Sequence, residues 1–247
     1  MEKEFFSSYK QETTKKRHIV ARQTDSLENN VSDSKLPKTA YLYLGPPVVG
    51  KDAQTDAFEV NLGIPVFKTG PVLKDIAARN PGGPEDEALK SRDLASDGTA
   101  VWAAKRWIYQ NKAQRLIKLN GIPRTVGQMK IINFLRERGF APRVIWFTTP
   151  IEVCINRPLR PDRDDETPAS RARRMEIYLD KTHPIIAELE NYGISENRGN
   201  LLLIDNTHIQ KHQVAEKIIQ TFQLPFQVSQ VFPQTERPAQ LVQVACT

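Results

Sequence analysis

The chain has 247 residues, 39% hydrophobic and 26% charged, with a formal net charge of +6 and a pI near 9.3. That is enough for one large domain or two small ones, in an ordinary globular composition whose charge favours anionic partners. No apolar run approaches the roughly 18 residues of a membrane span, and two lone cysteines, Cys154 and Cys246, give neither a disulfide framework nor a metal-ligand spacing.

Residues 1 to about 38 are polar and lack apolar periodicity, so they are predicted to form a flexible arm. Six acidic residues before Leu36 and the lack of an apolar core argue against a targeting segment, so the expected location is the cytoplasm. The basic run Lys15-Lys16-Arg17-His18 is nearly cancelled by acidic neighbours, and a solvated segment is expected.

From Ala40 the chain alternates between strand-like and helix-like stretches. Ala40–Leu44 is a short apolar run ending at Gly45-Pro46-Pro47-Val48-Val49-Gly50-Lys51. This has the spacing G-x-x-x-x-G-K of a phosphate-binding loop placed between a strand and a helix N-terminus. Backbone N–H groups and Lys51 would face phosphate oxygens there. The motif ends irregularly, with Asp52-Ala53 where Ser or Thr is usual.

A helix over Lys51–Asn61 closes at Gly63-Ile64-Pro65. Val66-Phe67 is extended, and a helix runs from Thr69-Gly70 to about Ala78. A Pro/Gly loop at residues 80–84 precedes helices over Glu85–Ala95 and Thr99–Gln110. Leu116–Leu119 is the next strand, ending at Asn120-Gly121-Ile122-Pro123. Thr125 caps a helix to Arg138 with Val126, Met129, Ile132 and Leu135 on one face. Arg143–Thr148 has the strongest strand composition, and Pro150 opens a helix. Arg157–Glu166 is a Pro/Arg/Asp-rich loop, followed by a long helix interrupted at Pro184. Leu201–Ile204 is the last strand, its helix carrying Val214, Ile218 and Phe222. From Leu224 onward no pattern remains, and residues 224–247 are predicted to be a tail.

Five short strands alternating with helices predict an α/β fold, a five-stranded parallel sheet covered on both faces. Ligands of such folds bind at the carboxyl end of the strands, where the glycine–lysine loop lies.

Several motifs, in order, resemble the adenylate kinase family of nucleoside monophosphate kinases, over roughly residues 40 to 222. Gly45–Gln54 resembles its phosphate loop, and Lys68-Thr69-Gly70-Pro71-Val72-Leu73-Lys74 its Thr-Gly-Asp-x-Leu-Arg segment. Asn120-Gly121-Ile122-Pro123-Arg124-Thr125 with Gln128 resembles Asp-Gly-Phe-Pro-Arg-Thr-x-x-Gln. Arg157 and Arg163-Asp164-Asp165-Glu166 resemble the arginine-bearing lid. Arg174-Met175-Glu176, Tyr178, Thr182 and Pro184 resemble the helix behind it.

The resemblance implies a P-loop domain over 39–223, with a nucleoside monophosphate-binding part about 69–111 and a short, zinc-free lid about 157–166. It implies phosphoryl transfer from ATP, with Mg²⁺, to a monophosphate, AMP first. Lys51, Arg124, Arg157, Arg163 and Arg174 would be the catalytic charges. Gly45, Pro46, Pro47, Val48, Val49, Gly50, Lys51, Asp52, Ala53 and Arg157 would bind ATP. Thr69, Lys74, Gly121, Arg124, Gln128, Arg163 and Arg174 would bind the monophosphate. For Thr69 a helix cap, and for Gln128 a surface position, are the structural alternatives. Arg160 and Arg171 are read as solvated. The protein is expected to be a monomer with no membrane or nucleic-acid partner.

The departures from the family pattern cluster at the phosphates. Val48 and Val49 replace small residues, and β-branched side chains resist positive φ. Ala53 removes a hydroxyl, Asn120 replaces an Asp, Lys74 an Arg and Pro71 an Asp. Asp52 adds a carboxylate at a helix N-terminus and is the candidate Mg²⁺ ligand, no other being assigned. These changes define the alternative reading, a nucleotide-binding or interaction protein with weakened or lost catalysis.

Overall fold

The computed structural model describes residues 37–91, 93–159 and 166–233. Arg160, Arg163, Cys246, the basic cluster near Lys16, nearly all of the predicted arm and most of the predicted lid lie outside the described residues.

The strands β1 (Thr39–Leu44), β2 (Val66–Lys68), β3 (Leu116–Asn120), β4 (Ala141–Phe147) and β5 (Leu201–Ile204) form one parallel sheet in the order β2-β3-β1-β4-β5. The central strand β1 is buried along its whole length, which explains its unbroken apolar sequence. Alternation then sorts its side chains between two cores. Ala40, Leu42 and Leu44 join Trp107, Ile132 and Leu135 on one face. Tyr41 and Tyr43 join Phe58, Ile218 and Phe222 on the other.

The helices are α1 (Lys51–Leu62), α2 (Thr69–Arg79), α3 (Pro84–Ser91), α4 (Asp97–Gln110), α5 (Lys130–Glu137), α6 (Ile151–Ile155), α7 (Pro168–Ile177), α8 (Ile185–Glu188), α9 (Lys211–Phe222) and α10 (Val228–Val231). Among these described elements no helix is long and apolar enough to cross a membrane.

Three local expectations change. The helix predicted from Thr125 is a short 3-10 turn, Val126–Gln128, followed by α5, so Val126 points outward at 46% exposure. The helix predicted to Ala95 ends at Ser91. The predicted tail is packed as far as it is described. Leu224, Phe226 and Val231 are buried in the second core, and Asn61 Nδ2 donates to Val231 O at 2.9 Å. Three apolar residues separated by polar ones have no helical or strand period, so their burial was not readable from spacing.

Parallel register aligns the carboxyl ends of the central strands. Tyr43 lies beside Asn120, Leu44 beside Trp146, and Lys68 beside Asn120. The segments beginning at Gly45, Thr69, Gly121 and Thr148 therefore leave the sheet along one edge.

Candidate active site

The turn after β1 requires glycine at its first position. Gly45 has φ +132, and a Cβ there would stand 2.8 Å from the Cβ of Phe147. The loop then meets the difficulty anticipated for its valines: Val48 adopts φ +63, a left-handed conformation that a β-branched residue resists. Val49 is buried and turned into the second core.

Lys51, the first residue of α1, folds back over the loop and donates from Nζ to Gly45 O at 2.9 Å and Pro46 O at 2.6 Å. Burial, then the Arg124 guanidinium, push its pKa down to about 7. Asp52 follows in the first turn, and its Oδ1 accepts from Asn120 Nδ2 at 2.7 Å. Asn120 Nδ2 also lies 3.3 Å from Thr55 Oγ1. Ala53 is exposed.

A cleft of about 250 Å³ opens at this edge. Gly45, Pro47, Val48, Lys51 and Asp52 form one wall. Thr69, Lys74, Gly121, Arg124 and Gln128 form the opposite wall, and Arg174 enters from α7. Sequence-distant cations are thereby brought to one space. A second cleft, of about 360 Å³, lies beside the loop, lined by Gly50, Lys51, Asp52, Asp56 and Glu166 among others; of the two, only the 250 Å³ cleft spans both walls.

The opposite wall is tightly tied. Gly121 has φ +87, and a Cβ there would meet Arg124 Nη2 at 2.7 Å. Arg124 Nε donates to Gly121 O at 2.9 Å, its backbone N–H to Gln128 Oε1 at 2.8 Å, and its carbonyl accepts from Thr182 Oγ1 at 2.9 Å. Gln128 is thus buried rather than at the surface, and its Nε2 donates to Asp97 Oδ1 at 2.9 Å. Thr69 is not a cap: it is the first residue of α2 and its hydroxyl donates to Gly121 O at 2.8 Å.

Arg157 does not line the cleft between the two walls. Its Nη1 donates to Val48 O at 3.0 Å and its Nη2 to Asn206 Oδ1 at 2.9 Å. Arg171, expected to be solvated, is buried. It forms an ion pair with the fully buried side chain of Glu166 and donates to the carbonyls of Ile155, Arg157 and Pro158. An arginine on the helix after the lid is drawn inward because three loop carbonyls there lack helical partners. Arg174 Nη2 lies 3.7 Å from Glu166 Oε1.

Reading motifs missed Asp97 and Asn206, and it named Glu166 only as part of the lid motif, with no role. Asp97 Oδ1 accepts from both Thr125 Oγ1 and Gln128 Nε2. Asn206 follows β5 at the ligand edge of the sheet, a position that topology alone would have flagged. Asp97 carried no such signal.

The fold and the cleft define a class: a parallel α/β protein with a glycine–lysine loop after its central strand and a basic cleft facing it. Adenylate kinases are among its relatives. The chain is 31% identical to the adenylate kinase of Thermus thermophilus over 163 residues, 63% of this chain and 85% of that protein. It is 29% identical to that of Xanthomonas euvesicatoria pv. vesicatoria over 66% of this chain and 88% of that protein. It is 27% identical to that of Xylella fastidiosa over 71% of this chain and 95% of that protein. No family model matches the chain. The chain belongs to the adenylate kinase family.

Proposed function

We propose that the protein transfers the γ-phosphoryl group of ATP to a nucleoside monophosphate, AMP first, giving two diphosphates. The observation that carries this reading is the convergence of Lys51, Arg124 and Arg174, from three separate elements, on one cleft. An acceptor phosphate oxygen attacks the γ-phosphorus, the bond to the β–γ bridging oxygen breaks, and charge spreads over the transferring group. Fixed cations aimed there supply most of the catalysis.

In this reading the loop 45–53 holds the ATP phosphates, with Lys51 on the transferring end. Arg124, locked at its N–H, Nε and carbonyl, grips the acceptor phosphate with its guanidinium. Arg174 reaches the same phosphate, while Arg157 and Arg163 add positive charge for the nucleotide phosphates. Lys74 adds charge, and Thr69 and Gly121 shape the acceptor wall. Gln128 uses its remaining amide proton to meet the base. The acceptor part is residues 69–111 and the lid 157–166.

The donor set fits Mg²⁺. Among the described residues no cluster of three His, Cys, Asp or Glu exists, but Asp52 and Asp56 line the second cleft beside Lys51. One carboxylate plus substrate phosphates is how Mg²⁺ is commonly held. Bound with ATP, Mg²⁺ supplies neutralisation of the β- and γ-phosphate charge. Asp52 takes up the part that an Asp at position 120 plays in the family pattern, and Asn120 orients it.

The second reading, a nucleotide-binding protein with lost catalysis, is favoured by the exposed Ala53 and by Asn120. A coupled assay of diphosphate formation with AMP, CMP, UMP, GMP and dTMP, with and without Mg²⁺, separates the two. Turnover with any acceptor supports the kinase. Nucleotide binding without turnover overturns it.

A further inference from the structure

Four carbonyls of the 45–50 loop are held by side-chain donors. Lys51 takes those of Gly45 and Pro46, Arg157 that of Val48, and Asn206 that of Val49, its Nδ2 standing 2.7 Å from the oxygen. A trans peptide points its N–H opposite to its C=O. Pro46 and Pro47 carry no N–H, so the carbonyls that matter are those of Val48 and Val49. Turning them toward Arg157 and Asn206 turns the N–H groups of Val49 and Gly50 the other way, the arrangement by which a loop offers donors to an anion.

Asn206 is the hub of this set. Its Oδ1 accepts from Thr149 Oγ1 at 2.6 Å and from Arg157 Nη2 at 2.9 Å, while its own N–H donates to Thr149 Oγ1 at 3.0 Å. One side chain thus joins the loop after β1 to the segments after β4, α6 and β5. It also lies close to Gly50, where a Cβ would stand 3.5 Å from Nδ2. Val48 needs such a hold, since a β-branched residue at φ +63 persists only where its surroundings impose the conformation.

We infer that Asn206 is a positioning residue that holds the Val48-Val49 segment in its phosphate-accepting shape, directly through Val49 O and indirectly by orienting Arg157 onto Val48 O. The inference rests on the ATP reading of the loop. It predicts a specific coupling: Asn206 matters because residue 48 is not glycine.

The test uses the full chain and four proteins: wild type, Asn206→Ala, Val48→Gly and the double variant. ATP and AMP affinities are measured by titration, and amide hydrogen exchange is followed across residues 48–51 in the nucleotide-free protein. Asn206→Ala weakens ATP about tenfold and leaves AMP within about twofold, as loss of one hydrogen-bonded hub at one site demands. In the Val48→Gly background the ATP penalty falls to about threefold or less, a coupling that independent sites do not show. Loop amides exchange faster in Asn206→Ala and are restored toward wild type in the double variant. Asn206→Asp, which keeps size and acceptors but loses the donor to Val49 O, reproduces the ATP defect. Equal ATP penalties in both backgrounds, equal weakening of AMP, or unchanged loop exchange overturns the inference. Failure of the wild type to bind ATP sinks the kinase reading instead, and the exchange measurements still judge the role of Asn206.

Discussion

The side-chain amide of Asn120 donates to Oδ1 of Asp52 across 2.7 Å, joining the end of β3 to the first turn of α1. Two positions that depart from the family pattern are therefore partners. A carboxylate stands at the helix start and an amide at the strand end, and the amide holds the carboxylate. A lone Asp at position 52 would compete with phosphate for the loop donors. Bonded to Asn120, it is fixed to one side of Lys51.

Exchange of the two residues makes the first prediction. Asn120→Asp alone sets two carboxylates in contact and destabilises the fold by about 1–3 kcal/mol at pH 7. The carboxyl whose pKa rises carries its full penalty above its folded pKa. The penalty vanishes as pH falls below the unfolded value near 4, so urea melts at pH 7 and pH 4 separate the variants. Adding Asp52→Asn restores stability. Asp52→Asn alone weakens Mn²⁺ binding to the ATP complex about tenfold, read by electron paramagnetic resonance.

Lys51 predicts a proton linkage. Its pKa of about 7 in the empty cleft means that it is largely neutral at pH 8. Triphosphate restores the ammonium, so ATP binding takes up close to one proton at pH 8 and almost none below pH 6. Calorimetry in buffers of different ionisation enthalpy measures the uptake. Lys51→Met abolishes it and lowers turnover by about a hundredfold or more.

Asp97 predicts a one-sided effect. It orients Gln128 and Thr125 on the acceptor wall, away from the phosphate loop. Asp97→Ala raises KM for the monophosphate about five- to tenfold and leaves KM for ATP unchanged, in steady-state kinetics with each substrate varied. Equal changes in both would show general loosening instead.

The Arg171–Glu166 pair predicts an asymmetric cost. Both side chains are almost completely buried, at 4% and 0% exposure. Arg171→Met leaves the buried Glu166 carboxylate, among the described residues, with only the longer Arg174 contact at 3.7 Å and costs about 3 kcal/mol in urea unfolding. Replacing Glu166 by Leu in that background recovers part of the loss.

Lys118 predicts the pH profile of stability. It lies within β3 at 1% exposure, donates to Thr55 O at 2.7 Å, and is held by burial well below its ordinary pKa of 10.5. The unfolded chain binds more protons than the folded one as pH falls from about 10.5 toward the depressed value, so stability rises with pH across that window and is lost on the way down. Lys118→Met flattens that slope in guanidinium melts between pH 7 and pH 10.

Much of this was legible in the chain itself. Unbroken apolar runs at Ala40–Leu44 and Leu201–Ile204, separated by helical periods, specify buried parallel strands, because only such strands bury both faces. Gly45 and Gly121 mark turns at positive φ, which local chemistry encodes, whereas the close approach of Phe147 to Gly45 is tertiary. Placing Lys51 and Arg124 at one edge also follows from where parallel strands end, whereas Arg174 was implied only by the family resemblance.

Tertiary structure decided what spacing does not encode. Periodicity reports which side a residue faces and says nothing of which polar atoms meet across elements. That is why Arg171 turned inward, Gln128 bonded Arg124 and Asp97, Lys118 sat in the core, and Leu224–Val231 packed down. Thus the sequence by itself determined the sheet and the place of the loop at its edge. Only the folded chain determined that Asp52 and Asn120 are partners and that Asn206 and Arg157 hold Val48 and Val49, because those bonds join residues 49 to 157 positions apart.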